Sequence, residues 1–93
     1  MNESYAYEWL GAVVSSGYPD AYIELIGGGA LSVTIPLNKS GSKSALMDVM
    51  GLGIYSEEND GEAIDFYSFE DLADDMPEWK KAGLALEWMS EQL

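Results

Sequence analysis

Residues 21–37 read Ala21-Tyr22-Ile23-Glu24-Leu25-Ile26-Gly27-Gly28-Gly29-Ala30-Leu31-Ser32-Val33-Thr34-Ile35-Pro36-Leu37. Two runs rich in β-branched and aromatic side chains flank a triple glycine. In the second run Leu31, Val33, Ile35 and Leu37 fall on one side and Ser32 and Thr34 on the other, the period-two pattern of a strand with one buried face. The glycines supply the positive φ angles of a tight hairpin. Residues 21–26 and 30–37 are therefore expected to form an antiparallel pair, and its apolar face must be covered by something else in the chain.

The segments on either side supply that cover. Upstream, Ala6, Trp9, Leu10, Val13 and Val14 recur at helical spacing within residues 4–16, and Gly17 is a natural stop. Tyr18-Pro19-Asp20 then turns the chain into the hairpin. Near the C-terminus, Trp79, Ala82, Gly83, Leu86 and Met89 mark the buried face of a last helix, widened by Leu84 and Trp88. Asp75 or Met76 is the expected cap of that helix, with Pro77 in its first turn and Glu78 near the positive end of its dipole.

Between these, Asn38 to Ser44 reads as a polar loop. Residues 45–56 admit two readings: a short helix through Leu46, Met47 and Met50, weakened by Gly51 and Gly53, or a strand through residues 52–56. Glu57 to Gly61 reads as an acidic turn. Residues 62–67 read as a third strand, with Ile64 and Phe66 on one side and Asp65 on the other. Ser68 with Asp71 matches a capping box, which predicts a helix running to about Met76, before Pro77. The expected fold class is α+β: one domain over residues 1–93, with a small, mainly antiparallel sheet packed by the N-terminal and C-terminal helices.

Charge is distributed very unevenly over this frame. Ten carboxylates fall between Glu57 and Glu78 without an intervening cation: Glu57, Glu58, Asp60, Glu62, Asp65, Glu70, Asp71, Asp74, Asp75 and Glu78. They account for almost all of the net charge of −13. Like charges this concentrated work against compaction. The balance also argues against direct binding to nucleic acid, which requires Lys and Arg to displace counterions, and disfavours anionic membranes. Arg is absent from the chain, and so are His and Cys. No disulfide or thiolate site is then possible, and the usual nucleophile–base pairs are missing. The lack of Cys fits a reducing compartment, so a cytoplasmic location is expected, in a bacterial host cell if the gene is carried by a phage. No apolar run approaches the ~20 residues of a membrane span, and the N-terminus lacks the basic region of a signal peptide.

Small-ligand chemistry finds little support. Paired carboxylates serve acid–base catalysis when an apolar pocket raises the pKa of one of them, and these acids occupy a polar, glycine-containing stretch. Gly41-Ser42-Lys43-Ser44 resembles the end of a phosphate-binding loop, but that motif places glycines where Ser42 and Leu37 stand. A calcium loop aligned on Gly61 would put Ser56 and Tyr67 at positions that need carboxylates. The expectation is no enzyme, no cofactor and no dedicated metal site.

What remains is a surface. On the expected helix, Glu70 with Asp74 and Asp71 with Asp75 stand four residues apart, forming two parallel rows of charge about 6 Å in repeat. All ten acids are candidate partner-binding residues, with Tyr55, Tyr67 and Trp79 as candidate aromatic anchors. The size of the chain, its lack of Arg, His and Cys, and the run Glu57-Glu58-Asn59-Asp60-Gly61-Glu62 followed by Glu70-Asp71 and Asp74-Asp75 resemble the small acidic anti-CRISPR and anti-restriction proteins of phages. That resemblance is one of character, not of alignable motif. It implies a non-catalytic inhibitor whose acidic face occupies the basic nucleic-acid channel of a host defence nuclease complex. An immunity protein or antitoxin against a basic nuclease toxin fits the same features. So does an adaptor subunit that docks through its aromatic faces, and a merely solvated acidic face is the plainest alternative.

Overall fold

The computed structural model describes residues 4–25, 30–60 and 62–93. Among these the chain forms helix α1 (Ser4–Ser15), strands β1 (Tyr22–Leu25), β2 (Leu31–Pro36), β3 (Lys43–Asp48), β4 (Gly51–Ser56) and β5 (Ala63–Ser68), and helix α2 (Glu78–Gln92). The strands form one antiparallel meander in the order β1-β2-β3-β4-β5. Both helices pack on the same side of it and against each other. The fold is thus α+β, with a small antiparallel sheet packed by the two terminal helices.

The expected first hairpin is present, with Ile23 opposite Val33 and Leu25 opposite Leu31. Its proposed glycine turn, Gly27-Gly28-Gly29, lies outside the described residues. Helix α1 ends as a glycine C-cap should. Gly17 adopts φ +106° while its N–H reaches the Val14 carbonyl and the Tyr18 N–H reaches that of Val13. Ala6, Trp9 and Val13 are buried along α1, whereas Val14, placed on the same stripe by its spacing, is exposed.

Of the two readings of residues 45–56, the strand through residues 52–56 is present, as β4, and the short helix is not. Residues 45–56 make most of a second hairpin, and β3 starts at Lys43, inside the segment that reads as a polar loop. Ala45 and Met47 alternate into the core, opposite Ile54 and Leu52. Asp48 Oδ1 accepts the Met50 N–H (2.8 Å) and closes the Val49-Met50 turn. Gly51 resolves the ambiguity physically. It has φ +145°, and a Cβ on it would run into the Tyr67 carbonyl oxygen of β5. The glycine that weakens a helix reading is the one this strand start requires.

In β5 a register irregularity places Tyr55 opposite Ala63 but Ile54 opposite Asp65, leaving Ile64 as the extra residue of a bulge. Phe66 lies opposite Gly53, on the sheet face away from the helices.

The helix expected after Ser68 does not form. Ser68 Oγ does accept the Glu70 N–H (3.1 Å), but two successive turns follow, closed by Leu72 N–H to the Phe69 carbonyl and Met76 N–H to the Ala73 carbonyl. The reason lies in the same acids. Unrelieved like charges four residues apart disfavour each helical turn, and Pro77 blocks extension from the C-terminal side. Between those limits the stretch is too short to offset the cost of nucleation. Asp residues satisfy turns instead. Helix α2 therefore begins later than expected. Its N-cap is Pro77 itself, extended at ψ 148° and making no side-chain cap bond; neither Asp75 nor Met76 takes that role. On α2, Ala82, Ala85, Leu86 and Met89 are buried, while Trp79 and Gly83 face outward.

The close approach at Gly51 gives a stability test. Gly51→Ala is expected to lose about 3 kcal/mol in urea unfolding, through both the strained φ and the clash with backbone. Gly41→Ala, which also has positive φ (+77°) but open space around it, is expected to lose about 1 kcal/mol.

Candidate functional site

The sheet order decides where the acids go. Strand β5 is an edge strand, and its two ends emit the two acidic connections. Glu57 and Glu58 lie in a short 3-10 turn (Glu57–Asn59) that leaves β4, with Asp60 and Glu62 between that turn and β5. Glu70, Asp71, Asp74 and Asp75 lie in the turns that leave the other end, and Asp65 sits within the strand. Six residues of strand separate the two groups by roughly 17 Å. The acids therefore border one edge of the sheet. They do not form the two helical rows that their spacing suggests.

Local hydrogen bonds hold this border in shape. Ser56 Oγ accepts the Glu58 N–H (3.4 Å), and Asn59 Nδ2 donates to the Glu62 carbonyl (3.0 Å). Asp60 takes the left-handed conformation (φ 52°), one that Asp tolerates better than most residues. Asp65 Oδ1 accepts the Phe66 N–H (3.0 Å). Nine of the ten carboxylate residues are exposed. Among the described residues no three carboxylates converge closely enough to hold a metal ion, so the arrangement is an extended field and not a chelate.

Glu78 is the exception. Its Oε2 accepts the Trp9 Nε1–H (2.9 Å), and its Oε1 meets Lys81 Nζ at 3.3 Å. This half-buried carboxylate ties the start of α2 to α1 and to its own helix. Among the described residues, Glu78–Lys81 is the one salt bridge. Among the described residues none of the nine acids of the border forms a salt bridge, though Lys81 lines the same pocket as Glu70 and Asp74.

The three candidate anchors have different fates. Tyr67 is half-buried, with its ring against Phe69 (6.2 Å) and Trp88 (5.6 Å), and belongs to the packing. Tyr55 folds back over Gly53 on the open sheet face, where a Cβ on that glycine would meet its ring. Tyr55 also lines a shallow pocket with Ser42, Ser44, Glu57 and Asp60. Trp79 is 61% exposed on the first turn of α2.

A second apolar element was not apparent from composition. Val49 and Met50, at the tip of the β3–β4 turn, are 61% and 67% exposed. They flank a pocket of about 450 Å³ whose lining includes Phe69, Leu72, Glu70, Asp74 and Lys81. The lining is mixed: apolar side chains stand beside two carboxylates and the chain's own Lys81, so the pocket offers a partner both contact area and charge. The readable signal was an apolar pair at a position where turns ordinarily carry polar residues, but it emerges only once residues 43–56 are recognised as a hairpin.

Among the described residues no helix is long and apolar enough to cross a membrane. No family model, curated protein or solved structure matches the chain.

The division between structural and exposed acids is testable by urea denaturation. Glu78→Ala strands a buried indole N–H and is expected to cost about 1–3 kcal/mol, with Glu78→Gln recovering part of it. Glu70→Gln and Asp74→Asn are expected to stay within about 0.5 kcal/mol of the parent.

Proposed function

We propose that this chain is a non-catalytic inhibitor, of the anti-CRISPR type, that covers the basic nucleic-acid-binding surface of a host defence nuclease complex. The observation that carries this reading is the set of nine exposed carboxylates grouped at the two ends of edge strand β5, with Asp65 between them and without a salt bridge to any lysine among the described residues. Phosphates advance about 3.4 Å along each strand of a duplex, so the span of β5 corresponds to roughly five of them. A cleft built to grip that array meets carboxylate groups at both ends of a similar length, with Asp65 between them, and the inhibitor needs no bond-making step. The exposed Val49 and Met50, beside the pocket that Glu70 and Asp74 line, supply what charge alone does not, apolar contact for an anchoring side chain.

The same surface serves an immunity protein that neutralises a basic nuclease toxin, and only the partner distinguishes the two. An adaptor role draws on different residues, namely the exposed Trp79, Val49 and Met50.

The test is competition with nucleic acid on a partner captured from bacterial lysate. The expected partner is a basic nucleic-acid-binding complex, from which DNA or guide RNA displaces the chain. Reversing Glu57, Glu58, Asp60 and Glu62 to Lys, or Glu70, Asp71, Asp74 and Asp75 to Lys, is expected to weaken capture at least about a hundredfold while circular dichroism stays unchanged. A partner that holds the chain and nucleic acid together, or that binds both reversed variants as tightly as the parent, would overturn the proposal.

A further inference from the structure

We infer that β5 accepts a basic, extended segment of the partner as a sixth strand of the sheet. The inference rests on the proposed function for the sign of the partner's charge and adds how the partner is held. Among the described residues β5 pairs only with β4, so its outer edge carries backbone N–H and C=O groups that an incoming strand can take, the Phe66 N–H once a cation draws Asp65 Oδ1 away from it. Five of its six residues are exposed. At the opposite edge, β1 has four residues and packs against α1, which makes it the poorer template.

The side chains of β5 specify the occupant. Phe66 is 45% exposed on the open sheet face, and Ile64 at the bulge is 53% exposed. Asp65 projects on the other face, and acidic groups stand beyond both ends. A second copy of this strand is rejected, because it would bring carboxylates against carboxylates, and like charges directly opposite are destabilising. A strand with Lys or Arg opposite Asp65 and an apolar residue opposite Phe66 meets complementary groups on both faces. Its basic flanks then lie beside Glu57–Glu62 at one end and Glu70–Asp75 at the other. In strand addition the backbone bonds supply affinity and the alternating side chains supply selection.

A synthetic Lys-Val-Lys-Val-Lys-Val-Lys peptide at low salt provides the probe, with two analogues N-methylated on alternate residues. Each analogue blocks one edge of the added strand. The expected result is slowed hydrogen exchange of amides within residues 63–68, with one analogue losing affinity by about tenfold or more and the other binding like the parent. Equal binding of both analogues would overturn strand addition and leave the acidic-surface reading standing. Absence of binding by the unmethylated peptide would overturn both, as would equal binding of its Glu-Val counterpart.

Discussion

Trp9 holds both ends of the acidic loop. Its indole is buried, with the ring 6.3 Å from Phe69 and the N–H on Glu78. Phe69 begins the stretch that carries Glu70, Asp71, Asp74 and Asp75, and Glu78 ends it. One residue of α1 thus fixes where the loop leaves β5 and where it enters α2. Burial of an aromatic ring such as Phe69 contributes about 2 kcal/mol, and a hydrogen bond to a charged acceptor about as much again. Repulsion between exposed like charges amounts to a few tenths of a kcal/mol per pair and is further reduced by salt. The latch therefore wins, and the acids are held outward with little freedom to disperse.

This balance explains how a chain of 93 residues and net charge −13 keeps its charge on one side. The core depends on small residues as much as large ones. Ala45, Ala82 and Ala85 let sheet and helices approach, while Trp9, Met47, Leu52 and Met89 fill the space between them. The acids contribute nothing to that core except through Glu78. Their cost is accepted at the sheet edge, where charge also protects an open strand from pairing with its own kind. Protection against self and attraction to a basic partner follow from the same electrostatics.

The sequence was most legible where period and punctuation agreed. The alternation in residues 31–37 and the stripe ending at Gly17 led directly to β1–β2 and α1. It was misleading where local signals competed with interactions set elsewhere. Ser68 and Asp71 form a good capping box, yet the repulsion among the acids and the position of Pro77 turned that segment into successive turns. Gly51 weakened a helix correctly, but its true role depends on the Tyr67 carbonyl, a contact with the next strand. For the surface, the identity of the exposed acids was readable from composition. Their alignment along β5 was not, because it follows from the strand order. The tie between Glu78 and Trp9 spans 69 positions in sequence and has no local signature.

The most direct measurement is the association rate of the chain with its captured partner as a function of ionic strength. Steering by the β5 border predicts a rate that falls steeply between low and physiological salt, with a much smaller change in the dissociation rate. An association rate that is flat across that range would contradict the account and place recognition on the apolar surfaces instead.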